Sequence, residues 1–148
     1  MAHYAENRKA RFNYEILEKY EAGIELLGVE VKSVRDGQIS LEGAFVIVRG
    51  GEVFLINANI PPFQPKNAPK DYDPLRNRKL LLTKKEIAEL AASEKNKSLT
   101  IVPISLYNKG RKIKVEIALS KGKKKFDKRE TIKKRDTDRE MRRASKED

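Results

Sequence analysis

The chain has 148 residues, with 33 Lys or Arg against 22 Asp or Glu, a net charge of +11 and a pI near 9.8. That length suits one domain with its own core, and the lack of cysteine excludes a disulfide framework, a Cys-held zinc site and a thiol nucleophile. A chain this basic points to a polyanionic partner, nucleic acid ahead of an anionic membrane, since no apolar helix face accompanies the basic runs.

The start, Met1 to Glu6, has neither the charged nor the apolar region of a signal peptide, and no apolar run approaches the roughly 18 residues of a membrane span. The expectation is a soluble cytoplasmic protein with no membrane partner. His3 is the only histidine and reads as part of a frayed terminus rather than a general base. Asn7 to Tyr14 then interleaves Arg8, Lys9 and Arg11 with Phe12 and Tyr14, a mixture suited to phosphates and bases. Asn13 to Tyr20 and Ile24 to Leu27 are strand-like, with a bend expected at Glu21-Ala22-Gly23. Val29 to Arg35 reads as a short helix ending at Asp36-Gly37.

Ala44 to Val48 and Val53 to Ala58 flank Gly50-Gly51 as a hairpin. The proline-rich stretch from Pro61 to Pro74 is expected on the surface. A second cation cluster, Arg76, Arg78 and Lys79, precedes Leu80-Leu81-Leu82. The clearest helix runs from Lys84 to Lys95, with Thr83 and Glu86 at capping-box spacing and Ile87, Leu90 and Ala91 facing inward. Leu99 to Tyr107 is apolar on both faces, and Pro103 within it implies a bulge or an edge. After a turn at Asn108 to Arg111, Lys112 to Leu119 alternates charged with apolar residues, as a half-buried strand does.

Six or so short antiparallel strands with one or two helices predict a mainly β fold. An OB-type antiparallel barrel over residues 1–120 is the first choice, and a two-layer α+β sheet is the alternative. Residues 121–148 hold 13 Lys or Arg against 7 Asp or Glu and little that is apolar, so this basic tail is predicted to be disordered when free. Acid-first pairs four apart, Glu130 with Lys134 and Asp138 with Arg142, favour a helix once phosphates neutralise it, with Ile132 and Met141 as its anchors. No nucleophile, proton-transfer group or phosphate-binding loop stands out, and Asp71 with Asp73 read as solvated loop carboxylates. The prediction is a binding protein and not an enzyme, with no cofactor and no metal.

Five segments carry a resemblance in register. They are Asn-Arg-Lys-Ala-Arg-Phe-x-Tyr-Glu-Ile at 7–16, Tyr-Glu-Ala-Gly-Ile-Glu-Leu-x-Gly-x-Glu-Val-Lys-Ser at 20–33, Phe-Leu-Ile-Asn-Ala-Asn-Ile at 54–60, Asp-Pro-Leu-Arg-x-Arg-Lys-Leu-Leu-Leu at 73–82, and Lys-Gly-Lys-Lys-x-x-Asp-Lys-Arg at 121–129. Together they resemble the SmpB family, the SsrA (tmRNA) binding proteins of bacterial trans-translation. The resemblance implies an OB-type barrel that binds the tRNA-like domain of tmRNA and promotes its delivery to stalled ribosomes. It implies as partners tmRNA, the ribosome (mainly small-subunit RNA) and elongation factor Tu acting through the aminoacylated tmRNA, with one monomer per tmRNA. Family positions for tmRNA binding match Glu21, Leu81 and Thr83, the last standing where relatives often carry Asn or His. The family's ribosome-engaging motif, directed at the decoding centre and vacant mRNA channel, matches Lys121, Gly122, Lys123, Lys124, Asp127, Lys128 and Arg129. Phe126 replaces a His common among relatives and keeps only its stacking role. Without the resemblance, an OB-type ribosomal component or a general RNA chaperone would fit the same composition.

Overall fold

Alternation of buried and outward side chains sets the strands. In β4 (Glu52–Ile56), Val53 and Leu55 are fully buried while Glu52 is exposed, and in β7 (Lys112–Gly122), Val115, Ile117 and Leu119 point inward. The computed structural model describes residues 3–64, 66 and 68–122, with the side chain of Arg11 excepted. Its other strands are β1 (His3–Glu6), β2 (Tyr14–Ile24), β3 (Phe45–Arg49), β5 (Arg78–Leu81) and β6 (Leu99–Lys109). All pairings are antiparallel and run β6-β3-β4-β5-β2-β7, and β7 pairs back onto β6. This closes the antiparallel barrel expected of an OB-type fold into a ring of six strands, while β1 adds along the second half of β6. The two-layer alternative is thereby set aside. Val46, Leu55, Leu80, Leu106, Val115 and Ile117 fill the interior.

Gly50 and Gly51, at φ +58° and +75°, make the β3–β4 hairpin with the left-handed backbone that such two-residue turns require. The register shifts at Pro103, so the proline sits at a bulge as expected. The apolar second face of β6 is explained by α1 (Arg8–Asn13). This helix lays Ala10 over Val102, Ile104 and Ala118 on the outside of the barrel. Helix α3 (Lys84–Glu94) starts at the predicted capping box, with Thr83 Oγ1 accepting from the Glu86 amide at 3.2 Å and Glu86 Oε1 from the Thr83 amide at 3.0 Å. It plugs the core with Leu90, and Glu94 accepts from the Val48 amide at 2.6 Å.

Several expectations change. There is no bend at Glu21-Ala22-Gly23. Strand β2 runs through it, because all three residues have ladder partners in β7 and Ala22 is a fully buried core residue. His3 is not frayed but paired, opposite Tyr107. Lys121 and Gly122 do not open the tail but end β7, opposite Glu15 and Tyr14. The predicted tail residues from Lys123 onward, including Lys124, Phe126, Asp127, Lys128, Arg129, Ile132 and Met141, lie outside the described residues. Among the described residues, no helix is long and apolar enough to cross a membrane.

One buried ionic cluster ties the barrel to the segments around it. Glu30, in helix α2 (Gly28–Arg35), and Arg78, in β5, are both fully buried. Arg78 Nε donates to Glu30 Oε2 at 2.8 Å, and its other nitrogens reach the carbonyls of Ala58 at 2.6 Å and Pro74 at 2.9 Å. Glu30 also accepts from Arg76 and from the Leu27 amide at 2.8 Å, and the single Tyr72 hydroxyl proton lies between Glu30 Oε2 at 3.0 Å and the Ile60 carbonyl at 2.7 Å. The long connection after β4, helix α2 and β5 thus converge on one carboxylate. Burial alone would raise the Glu30 carboxyl, but hydrogen bonds from Arg76, the Leu27 amide and Arg78 outweigh it and hold the group below its ordinary range.

Removing one partner leaves the other charge buried and alone, so Arg78→Met should cost about 3–5 kcal/mol in urea unfolding. Because the folded value of Glu30 lies below the unfolded one, its contribution is present at neutral pH and is lost as the pH falls below the ordinary Glu value of 4.5. Glu30→Gln should be less stable at pH 7 and lose less than the wild type on acidification, measured by circular dichroism.

Candidate nucleic-acid interface

Ladder register places Leu81 of β5, Gly23 of β2, Lys114 of β7, Tyr107 of β6 and His3 of β1 in one row across five strands. Leu81 stands half exposed, at 49 %. It leans over Gly23, where an added Cβ would lie 3.3 Å from the Leu81 Cβ, so the glycine lets the leucine sit down on the strand instead of bending the chain. Between Leu81, the end of β2, helix α2 and the β6–β7 turn runs a groove of about 360 Å³. Ile24, Leu26, Val31, Leu81 and Ile113 give it apolar walls, and Arg35, Arg111, Lys112 and Lys114 supply cations. Among the described residues, no acidic side chain lines it. Arg35 Nη2 donates to the Arg111 carbonyl at 2.9 Å and fastens the end of α2 to the turn.

Beside the groove stands Glu21, two residues before Gly23 on β2. The Tyr107 hydroxyl donates to its Oε2, and Lys109 Nζ donates to Oε1 at 2.9 Å. Those two hydrogen bonds, Tyr107 first, hold the Glu21 carboxyl below its ordinary range, while burial and Glu21 together push the Tyr107 hydroxyl up. Cations over an apolar surface, free of acids, can take phosphates at the rim and a base or ribose against Leu81.

The residues singled out by sequence divide into four groups. Glu21 and Leu81 belong to this face. Thr83 follows two residues after Leu81 and is exposed, but its hydroxyl is engaged with Glu86. Arg8 and Lys9 lie at the opposite end of β2 in α1, exposed, with Lys9 paired to Glu42. Arg11 is in the same helix, and its side chain lies outside what is described. Within the cluster at 76–79, Arg78 is the correction, while Arg76 and Lys79 are paired but partly exposed. Arg78 is fully buried against Glu30 and can reach no RNA, Arg76 is turned onto the same carboxylate, and Lys79 pairs with Glu52 at 3.1 Å. Among the loop acids, Asp73 caps a turn by accepting from the Leu75 amide at 2.9 Å.

Sequence reasoning missed Arg35, Lys109, Arg111, Lys112 and Lys114. The Lys-x-Lys alternation on the polar side of the β7 pattern marked Lys112 and Lys114 as sharing a face. Only closure of the barrel sets that face beside Leu81.

A small closed barrel whose outer face carries a cation-rimmed, acid-free groove is a nucleic-acid-binding type of domain. The profile of the SmpB protein family matches residues 4–147, and the chain belongs to that family. It is 51% identical over 141 residues to an SsrA-binding protein of Gloeothece citriformis, covering 95% of this chain and 91% of the relative. It is 56% identical over 137 residues to an SsrA-binding protein of Mesoplasma florum, covering 92% of each. A solved structure described as "tmRNA-SmpB: a journey to the center of the bacterial ribosome" superposes with a TM-score of 0.67 at 46% identity, covering 81% of this chain and 84% of that one.

If Lys112 and Lys114 meet phosphates, the double substitution Lys112→Gln with Lys114→Gln should weaken RNA binding of every sequence. The slope of log K against log salt should become shallower by about 1.4 to 1.8. Filter binding at several salt concentrations measures both.

Proposed function

We infer that this chain binds SsrA RNA (tmRNA) and promotes its delivery to stalled ribosomes for trans-translation. The observation that supports this most is the groove under Leu81, built by a chain of the SmpB family in a fold shared with a 46%-identical structure described as tmRNA-SmpB on the bacterial ribosome. A folded RNA offers the groove a fixed pattern of phosphates and an unstacked base or ribose edge. Leu81 takes the apolar contact, and Arg35, Arg111, Lys112 and Lys114 take phosphates. Glu21 and Thr83 complete the RNA-facing edge, while Arg8, Lys9 and Arg11 reach a separate part of the RNA from the other end of the barrel. The activity is binding, without a catalytic step.

The division of labour assigns tmRNA to the barrel and the ribosome to the basic segment that follows it. That segment, with Lys123, Lys124, Phe126, Asp127, Lys128 and Arg129, engages the decoding centre and vacant mRNA channel. One protein acts per tmRNA, and elongation factor Tu joins through the aminoacylated RNA. The boundary in this reading is no earlier than Gly122, supported by β7 running that far and by Ser120, buried with its hydroxyl on the Thr100 carbonyl at 2.9 Å.

Labelled SsrA RNA should be preferred over total tRNA by more than tenfold, about 1.4 kcal/mol. A smaller preference would favour a general RNA chaperone or a ribosomal component. Leu81→Ala should change stability by less than about 0.5 kcal/mol, because the side chain is half exposed, while costing about 1 kcal/mol of SsrA RNA affinity. Truncation after Gly122 should keep most of that affinity and abolish tagging of stalled peptides. Loss of both together would refute the division.

A further inference from the structure

A carboxylate on a phosphate-binding face is repelled by its ligand, so Glu21 needs a reason to be there. Both of its oxygens are already engaged by the protein, Oε2 by the Tyr107 hydroxyl and Oε1 by Lys109 Nζ at 2.9 Å. Tyr107 is buried, at 5 %, and its ring lies 5.8 Å from that of His3 in the adjacent strand, so the hydroxyl is a fixed point. Lys109 is different. Its side chain is 57 % exposed, and it sits directly opposite Lys112 on the same face as Lys114, two cations of the groove rim. An ammonium has three donors, and Glu21 takes one of them. A lysine otherwise free to sweep is therefore held at one place at the mouth of the groove, with donors left for a ligand.

We propose that Glu21 is a positioning residue, and that Lys109, mounted on Glu21 and Tyr107, is the group that contacts a phosphate of the bound RNA. This rests on the functional reading above and adds a residue to its site. Fixing the ammonium lowers the entropy lost on binding only when the phosphate is itself held in place, as in a folded RNA. On a flexible strand the phosphate adjusts to wherever the lysine points. Glu21 thus confers preference for structured RNA without touching a base, and its own negative charge is offset by the pair it forms. Lys19 and Glu116, which also face this position, form a separate pair at 3.7 Å, and Lys114 adds its field to that of Lys109.

The test uses the full-length chain and compares SsrA RNA with an unstructured single-stranded RNA. Lys109→Ala should weaken binding to both by roughly tenfold or less and make the salt slope shallower by about 0.7 to 0.9. Glu21→Ala and Tyr107→Phe should weaken binding to SsrA RNA only, leaving the unstructured RNA unchanged or slightly tighter. The Glu21→Ala, Lys109→Ala double variant should lose no more on SsrA RNA than Lys109→Ala alone, since the mount has no role without the lysine. Additive losses, or a wild-type salt slope in Lys109→Ala, would overturn the proposal. Lys109 is exposed, so its variant keeps the test open should Tyr107→Phe fold poorly. If the wild type shows no preference for SsrA RNA, the functional reading fails by itself. The Glu21–Lys109 coupling is then read on tRNA, where coupled losses support the inference and additive ones defeat it.

Discussion

The Glu30–Arg78 pair is the constraint on which the rest of the molecule depends. Taking two charges out of water costs several kcal/mol for each ion, and the cost is offset only where every donor and acceptor finds a partner. Here they do. The guanidinium spans Glu30, two carbonyls of the connection after β4, and Tyr72, while the carboxylate also caps the first turn of α2. An apolar residue in place of either would fill space without specifying direction. The ionic cluster orients three segments at once, and two of them carry the groove. Leu81 lies three residues after Arg78 on β5, and Val31 with Arg35 follow Glu30 on α2. The width of the groove is therefore set from inside the protein, by groups that no ligand touches.

What the sequence made legible depends mainly on near neighbours, although the short helix α1 with its Asn7 cap and the end of β2 at Ile24 were missed. The β6–β7 and β3–β4 hairpins, the inward stripe and capping box of α3, the end of α2 and the bulge at Pro103 all follow from patterns within a dozen residues. What it hid depends on distant partners. Arg76, Arg78 and Lys79 look like any basic cluster, and only a glutamate 48 residues away from Arg78 decides that it is buried. Lys112 and Lys114 look like the solvated side of an ordinary strand, and only their register against Gly23 and Leu81 makes them a rim. The small residues Ala22 and Gly23 suggested a bend for a similar reason. Smallness serves a turn and a close approach equally well, and the neighbour that distinguishes the two is 58 residues on from Gly23. The resemblance pointed to Glu21 and Leu81, and the fold brings them to one face. It gave no account of why an acid should be there.

The barrel also explains how one small sheet presents two unlike surfaces. Strand β6 is apolar on both sides because its inner face fills the core while α1 covers part of its outer face. That cover occupies the end of β2 near Tyr14, whereas the outer face near Gly23 carries Leu81 and the cations. Placement of α1 thus separates a packed end from a binding end along the same strands.

Strand β7 has a mechanical consequence. It begins at the groove, with Lys112 and Lys114, and ends at Gly122. At about 3.3 Å per residue the two ends are roughly 33 Å apart. Along that length β7 is hydrogen-bonded to β2 on one side and β6 on the other. Ladder bonds in antiparallel pairs lie perpendicular to the strands, so tension between an RNA held at the rim and a chain anchored beyond Gly122 would act in shear on both ladders together. No single terminal bond would take the load and start a peel. The strand is a tie-rod, and a pull at one end is delivered to the other with little stretch.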